Sequence, residues 1–396
     1  MKTEFLENIF ILIKSKLLEW VSGFLPQWLA GLFSHLIVIA SIILLFSAMF
    51  GIVTVIERKL LGRMQNRFGP NRVGPYGFLQ FVADGIKALT KEDIVPERAD
   101  RVAHFIAPIL IVAPVLLNFS VIPFGKNMTP FEISNGLLFF FAIGAASEIA
   151  VFMAGWSSRN KYSLLGAMRA IAQMLSYEIP LVISATAVVM SAGTLSLSKI
   201  AASQSGYLFG FVPNWNIFTP WGIAAFVVFM IAATAELNRS PFDLPEGESE
   251  IVAGYYIEYS GFKFALFFLG EYFAMFAISG VAITLFLGGW NAPLPFLEFL
   301  PSWFWFFIKL FLMIFGFIWL RATLPRLRID QLMNFSYKAL IPASLIILLT
   351  VALWHYLNGG IVGWILCGLV IAIPYLIFNK IFRSYTNEVY YKKISI

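Results

Sequence analysis

Cysteine, histidine and charged residues are all scarce in this 396-residue chain. Its one cysteine, Cys367, excludes disulfides within the chain and thiolate-bound clusters. The histidines His35, His104 and His355 lie far apart, and none stands at metal-ligand spacing from a cysteine or an acid, so no metal site is predicted. The chain also lacks a P-loop and a GxGxxG motif after a strand. We therefore predict no nucleotide, flavin or iron–sulfur cofactor bound by this chain alone.

The chain is instead rich in apolar residues. The chain is 59% hydrophobic and 13% charged, far from the balance of a soluble domain. Nine apolar runs have about the length that a helix needs to cross some 30 Å of hydrocarbon. This predicts an all-α, polytopic integral membrane helical bundle of about nine transmembrane helices, with amphipathic helices at its surface. The predicted spans are 32–56, 102–124, 133–156, 169–192, 220–237, 262–287, 303–324, 341–356 and 361–378.

Lys and Arg are distributed unevenly between the two sides of these spans. Most of the 28 basic residues fall after the first, third, fifth and seventh spans or in the C-terminal tail. The positive-inside rule places these segments in the cytoplasm, with the N-terminus outside and the C-terminus cytoplasmic. The basic excess is thus a topology signal, and no nucleic-acid surface is predicted. We expect an N-terminal interfacial helix within 1–31 and one membrane domain over 32–396, with cytoplasmic loops at 57–101, 157–168, 238–261 and 325–340.

An acidic loop separates the fifth and sixth spans. The stretch ELNRSPFDLPEGESEIVAGYYIEYSG, 236–261, sets six carboxyls between two apolar segments. Acids crowded at the edge of a low-dielectric slab disfavour one another's ionisation, so they can share protons and act as a relay. A solvated acidic loop is the alternative, but the prolines and tyrosines of this stretch favour a shaped, partly buried one. The six are Glu236, Asp243, Glu246, Glu248, Glu250 and Glu258.

Acids also occur inside the predicted spans. Glu148, Glu178 and Glu271 lie within the third, fourth and sixth spans, so that with Glu236 four spans carry one. Ionisable groups at such depth are costly and face a protein interior or a wet cavity. We therefore favour a connected proton path over isolated structural carboxyls. Pro180 also frees a backbone carbonyl one turn earlier, where water could enter.

The first cytoplasmic loop has a rigid pattern. The Gly69-Pro70 and Gly74-Pro75 steps predict tight turns. Apolar residues then recur at helical spacing over 78–89, which predicts an amphipathic helix at the membrane surface and a lip for a lipid-soluble ligand. Positive-inside anchoring explains part of the basic charge here, but not the glycines and prolines.

Four stretches together resemble one family. They are ERKLLGRMQNRFGPNRVGPYGFLQ (57–80), GWSSRNKYSLLGAMRAIAQMLSYEIP (155–180), AELNRSPFDLPEGESEIVAGYYIEYSG (235–261) and RATLPRLRIDQLM (321–333). The chain is similar through them to the quinone-site membrane subunit of respiratory complex I, which is the H subunit of NADH-quinone oxidoreductase in bacteria and subunit 1 in mitochondria. The match runs from about 32 to 338, leaving the N-terminal helix and the last span outside it.

The resemblance implies site residues of two kinds and no catalytic residue. A quinone chamber and entrance, shared with peripheral subunits, would involve Glu57, Arg58, Arg67, Asp84, Lys87, Arg239, Arg321 and Arg326. A proton path towards the pumping subunits would use Glu178, Glu236, Asp243, Glu246, Glu248, Glu250, Glu258 and Glu271. We add Glu148 to this path on its position alone. The basic loop 321–338 could supply counter-charges to the acidic loop.

The resemblance further implies a subunit of a proton-translocating enzyme in the bacterial cytoplasmic membrane. Its substrate would be ubiquinone or menaquinone, while NADH, FMN and iron–sulfur clusters would bind partner subunits. The expected partners are the peripheral subunits of the quinone site, which carry the terminal cluster, then small membrane subunits, antiporter-like subunits and membrane lipid.

Two other functions are compatible with the sequence. One is the membrane anchor of a related ferredoxin or F420H2 dehydrogenase or of an energy-converting hydrogenase. The other is a freestanding cation-coupled transporter that uses the same acids.

Overall fold

The chain folds into a bundle of α-helices in the computed structural model. The long helices follow the apolar runs and end where charge, glycine or proline interrupts them. The structure describes residues 7–22, 26–208, 210–244, 254–357 and 360–373. In these ranges the helices of twelve or more residues are α1 (Ile9–Ser22), α2 (Gln27–Met64), α4 (Arg101–Asn118), α6 (Ala146–Ser157), α7 (Lys161–Ala192), α9 (Pro220–Glu236), α10 (Gly261–Phe286), α11 (Ser302–Thr323), α13 (Ile341–Tyr356) and α14 (Gly360–Ile373).

Shorter elements connect these helices. One hairpin pairs β1 with β2 in antiparallel register, Tyr207 opposite Pro213 and Leu208 opposite Val212. The remaining elements are α3 (Gln80–Thr90), α5 (Gly136–Gly144), α8 (Leu197–Ser203), β1 (Tyr207–Leu208), β2 (Val212–Pro213), α12 (Ile329–Phe335), a π-helical turn (Ser336–Leu340) and the 3₁₀ turns Pro75–Gly77, Phe119–Val121, Asn216–Phe218, Gly254–Tyr256 and Pro295–Leu297.

The polytopic helical fold predicted from the apolar runs is confirmed. Seven helical segments of the described chain are long and apolar enough to cross a membrane, and two shorter apolar helices, α9 and α14, match the remaining predicted spans. The boundaries differ in several places, and α7 begins at Lys161, eight residues before its predicted span and inside the predicted 157–168 loop. Helix α2 continues for two turns into the predicted 57–101 loop, the third span is divided at Ala145 into α5 and α6, and the eighth begins already at Ile329.

Helix α10 is the centre of the bundle. It is the most buried of the seven spanning helices, and its aromatic side chains pack against α2 and the end of α4. Phe46 of α2 stacks on Phe119 at 3.8 Å between ring centroids and lies 5.7 Å from Phe276 of α10. Because lipid tails are as apolar as these side chains, close packing rather than water exclusion holds such helices together.

Two glycines lie where backbone segments approach each other too closely for a side chain to fit. A Cβ on Gly166 of α7 would lie 2.6 Å from the Cα of Gly254, so the end of the acidic loop rests directly on α7. A Cβ on Gly77 would clash with the Pro70 carbonyl, and the φ of Gly77 is +74°. The tight turns predicted in the first loop are therefore present. The amphipathic helix that follows them is confirmed as α3.

Candidate functional site

A buried charge cluster joins four separate parts of the chain around Glu57. Nη1 of Arg239 donates to both carboxylate oxygens of Glu57 at 3.0 Å. Nη1 of Arg321 donates to Oε1 at 2.6 Å, and the Tyr272 hydroxyl donates to Oε2 at 2.7 Å. Glu57 is only 2% exposed and Arg239 only 5%. We call Glu57, Arg239, Tyr272 and Arg321 the arginine cluster.

The continuation of α2 beyond the predicted span explains where this cluster forms. Val53 and Glu57 lie one helical turn apart, and both are buried, so one face of α2 stays inside the bundle beyond the apolar run. Tyr272 comes from α10, Arg321 from the last turn of α11, and Arg239 from the connection that follows α9. Helices α10 and α11 and the connection after α9 therefore hold the position of the Glu57 carboxylate.

The electrostatics of the cluster are asymmetric, with two guanidinium groups against one carboxylate. Burial by itself lowers the pKa of Arg239, but Glu57, Tyr272 and Glu271 together outweigh burial and raise the pKa of Arg239 above its usual value. The guanidinium also lies over the Tyr272 ring, 4.4 Å from its centroid, a cation–π contact. Glu271 contributes to the same field. The cluster thus pairs two guanidinium groups with a buried carboxylate inside the bundle, and a second acid, Glu271, acts on Arg239.

A second, exposed group of residues links α2 to the amphipathic helix α3. Arg58 pairs with Asp84 at 2.5 Å, and Asp84 also accepts from Gln80 at 3.0 Å. Lys59 donates to the Tyr76 carbonyl at 2.6 Å. An open pocket of about 480 Å³ lies beside them, lined by Phe68, Gly69, Pro70, Asn71, Arg72 and Gln80.

Besides Arg58, three of the basic residues expected at the chamber lie outside the arginine cluster. Arg67 is exposed and donates to the side chain of its neighbour Gln65 at 2.8 Å. Lys87 is exposed on α3. Arg326 donates to the Leu244 carbonyl at 3.2 Å, which ties the 321–338 segment to the acidic loop through the backbone. The other expected counter-charge, Arg321, pairs with Glu57 of α2.

Three of the predicted path acids approach one another inside the bundle. Glu148 of α6, Glu178 of α7 and Glu236 of α9 act on each other electrostatically. Their helices pack side by side, α7 between the other two. Among the described residues, Glu236 Oε2 is buried and has no hydrogen-bond partner. We call Glu148, Glu178 and Glu236 the carboxyl group.

The remaining path acids are more dispersed. Glu258 accepts from Asn160 Nδ2 at 2.7 Å, while Asn160 Oδ1 caps α7. Glu271 lies near Arg239, and Asp243 is half-buried in the acidic loop. Glu246, Glu248 and Glu250 lie outside the described residues.

Sequence reasoning missed two polar side chains that fix the surroundings of the site. Buried Gln173 of α7 donates to the carbonyls of Ala235 and Phe242, both at 2.6 Å, and so positions the turn between Glu236 and the acidic loop. An apolar helix with one glutamine gives a weak signal. The contact joins residues 62 and 69 positions apart, which pattern analysis does not detect.

Lys309 is the second missed residue, and here the signal was present. This lysine lies inside the apolar helix α11 and is 6% exposed. Its ammonium donates to the carbonyls of Leu287, Gly289 and Asn291 at 2.7, 2.9 and 2.7 Å, and lies 4.1 Å from the centroid of the Trp215 ring. All three donors of the ammonium are therefore satisfied by backbone beyond the end of α10.

The carbonyl that Pro180 leaves free has a protein donor. Ser336 Oγ donates to the Ser176 carbonyl at 2.7 Å, from the first position of the π-helical turn. The interaction is buried. A hydroxyl from α12–α13 thus takes the position where water was expected.

A protein-family model described as NADH dehydrogenase matches residues 36–352. The chain belongs to this family. The resemblance drawn from the four sequence stretches is thereby confirmed, and α1 and α14 fall outside the matched range. The matched range, 36–352, includes every member of the arginine cluster and of the carboxyl group.

Curated relatives of the NADH dehydrogenase family match nearly their whole length. A protein of Dehalococcoides mccartyi (strain CBDB1) is 47% identical over 345 residues, which is 85% of this chain and 94% of the relative. One of Brevibacillus brevis is 46% identical over 338 residues, 84% and 97% of the two chains. One of Carboxydothermus hydrogenoformans is 45% identical over 344 residues, 86% and 94%. All three are named as the H subunit of NADH-quinone oxidoreductase.

Proposed function

We propose that this chain is the quinone-site membrane subunit of a proton-translocating NADH:quinone oxidoreductase, complex I, of a bacterial cytoplasmic membrane. The observation that carries the proposal is the arginine cluster. It joins two guanidinium groups and a phenol to the buried Glu57 carboxylate, within the residues that the family model covers. The names of the relatives favour this function over the hydrogenase anchor and the freestanding transporter.

The chamber would be bounded by the arginine cluster on the inside and by the exposed link between α2 and α3 at its entrance. Arg58 and Asp84 hold α3 against α2, so a lipid-soluble quinone reaching the membrane surface would meet the apolar side of α3 first. Arg67, Lys87 and Arg326 would face partner subunits, because in this chain they are exposed. The chain itself would carry no electrons. NADH, FMN and iron–sulfur clusters would bind partner subunits, which supply the electrons.

Electrostatic interactions would couple quinone reduction to the proton path. Reduction of a quinone creates negative charge that demands protons, and the guanidinium groups of the arginine cluster would favour that anion. The carboxyl group, Glu148, Glu178 and Glu236, differs from the arginine cluster because its acids have no guanidinium partner among the described contacts. These acids can therefore exchange protons when the charge nearby changes. Asp243, Glu246, Glu248, Glu250, Glu258 and Glu271 would connect the chamber with Glu148, Glu178 and Glu236.

Glu178→Gln tests the proposal in membranes that contain the assembled complex. The amide keeps the shape of the side chain and removes its proton site. We expect proton translocation to be lost while electron transfer from NADH to an artificial acceptor continues. The matched control is Glu132→Gln, an acid in the connection before α5. Normal translocation in Glu178→Gln would contradict the proposed path.

A further inference from the structure

Lys309 is a buried cation that the proposed function does not use. It lies in the second turn of α11, while Arg321 of the arginine cluster lies in the last turn of the same helix. At 1.5 Å per residue, the two side chains leave the helix about 18 Å apart. Lys309 is therefore remote from the arginine cluster and has a separate set of partners.

The turn that follows α10 presents three backbone carbonyls to the Lys309 ammonium. The oxygens of Leu287, Gly289 and Asn291 accept from Nζ at 2.7, 2.9 and 2.7 Å. The carbonyl of Gly288 instead accepts from the Asn291 N–H at 3.0 Å and closes the turn. Because the last carbonyls of a helix lack partners within it, a cation at this end is stabilised.

Two glycines give the turn its shape. Gly288 has a φ of +69° and Gly289 a φ of +55°, in the left-handed region that favours glycine. A Cβ on Gly288 would clash with the Trp215 ring, so the indole lies directly against the turn. The Lys309 ammonium lies 4.1 Å from the centroid of that ring, a cation–π contact. We call the carbonyls of Leu287, Gly289 and Asn291 and the Trp215 ring the carbonyl cage.

Gln204, at the end of α8, connects the walls of the carbonyl cage. Its Oε1 accepts from the Gly288 N–H at 3.1 Å and from the Asn216 N–H at 3.2 Å, and its Nε2 donates to the Thr284 carbonyl at 2.8 Å. Gln204 is 2% exposed. Since Asn216 follows Trp215 in sequence, this one amide fixes both the turn and the aromatic wall. The carbonyl cage is thus held by contacts that do not involve the lysine.

The described partners of the Lys309 ammonium are neutral. Three carbonyls and an indole face match a primary ammonium, which has three N–H donors and one positive charge. A divalent cation such as Ca²⁺ would favour carboxylate ligands, and none of the described contacts of Nζ is with a carboxylate. We infer that the carbonyl cage is a binding site for a primary ammonium ion, and that Lys309 supplies this ion from its own side chain.

The site goes beyond the proposed function and does not depend on it. The charge of the ammonium, rather than the apolar stem of the lysine, holds the end of α10 to α11 and to the 214–218 segment. A free primary ammonium of the right size should therefore replace the side chain.

Lys309→Ala with added propylammonium tests the site. Alanine removes the stem beyond Cβ, and propylammonium replaces the atoms that are lost. Membranes from cells that produce the full complex are heated in steps, solubilised and cleared, and an immunoblot gives the temperature at which half of the chain has aggregated. We expect Lys309→Ala to lower this midpoint by about 3 °C or more. Propylammonium should restore most of the fall in a saturable way.

Matched controls separate a cation site from packing. Tetramethylammonium carries the charge without N–H donors, and propanol has the size of propylammonium without its charge, so neither should restore Lys309→Ala. Lys309→Met keeps an apolar stem, so its midpoint should be low and should not respond to propylammonium. Lys199→Ala removes an exposed lysine from α8 and should leave the midpoint unchanged.

Three results would overturn the site. They are a Lys309→Met midpoint equal to that of the unaltered chain, rescue of Lys309→Ala by propanol as complete as by propylammonium, and no rescue by propylammonium. If Lys309→Ala does not accumulate, Trp215→Phe and Trp215→Leu are compared with the lysine in place. The site predicts a smaller fall for Trp215→Phe, whose ring still offers a face to the ammonium, and equal midpoints would overturn it.

Discussion

The arginine cluster and the carboxyl group place acids inside the same bundle by opposite means. Glu57 has two guanidinium partners and a phenol, so its carboxylate is paired and held in place. Glu148, Glu178 and Glu236 have one another as electrostatic neighbours. A paired acid shapes the local field, whereas crowded acids respond to it. In the proposed function, the paired acid would fix the local field and the crowded acids would carry the protons.

The largest effect should follow from breaking the arginine cluster. Glu57→Ala leaves Arg239 and Arg321 without their carboxylate, and removal of one partner from a buried pair typically costs about 3–5 kcal/mol. We expect little assembled subunit in the membrane, measured by immunoblot of the intact complex. If Glu57→Ala assembles normally but loses quinone reduction, the cluster acts on the substrate alone and does not hold the helices.

A change in the carboxyl group should leave assembly intact. Glu236→Gln keeps the side-chain volume and removes a proton site that has no guanidinium partner among the described contacts. We expect the rate of quinone-coupled proton uptake to fall by about tenfold or more, with the artificial-acceptor rate unchanged. Equal loss of both activities would show that Glu236 is structural, like Glu57, and would remove the contrast between the two sites.

The smallest effect should come from the exposed pair at the entrance. Asp84→Asn removes the partner of Arg58, whose side chain is 51% exposed, and pairs of this kind contribute about 0.2–1 kcal/mol. We expect normal assembly and translocation, with a modest rise in the apparent Michaelis constant for quinone because α3 is held less firmly. A loss as large as that of Glu57→Ala would show that the exposed Arg58–Asp84 pair contributes as much as the buried arginine cluster.

The positions of the helices were predicted from the sequence more completely than the contacts between them. Apolar runs place the helices because length and hydropathy are local properties, and the amphipathic period over 78–89 gave α3. The division at Ala145 and the two extra turns of α2 were not predictable from hydropathy, since the buried face of α2 continues through Glu57, a charged residue. Lys309 was overlooked although a lysine in an apolar helix is a signal by itself.

The sequence identified several site residues, but not which of them contact one another. Glu57, Arg239 and Arg321 were each expected near the chamber through the family resemblance, yet nothing in their spacing shows that they share hydrogen bonds. Tyr272 carried no signal at all in a helix rich in aromatic residues. The Ser336 hydroxyl bonded to the Ser176 carbonyl, 160 positions apart, belongs to the same class of contact. Such contacts depend on tertiary packing that no local pattern encodes.

The arginine cluster also has a consequence for biosynthesis. The three partners of Glu57 follow it by 182, 215 and 264 residues. At about 5–20 residues per second, the ribosome needs roughly 15–50 s to reach the last of them after Glu57 has been made. Until Arg239 has been made, α2 stands at the membrane with an acid that lacks all three of these partners. The cluster closes only when α11 is in place, so it distinguishes a chain translated through Arg321 from a truncated one.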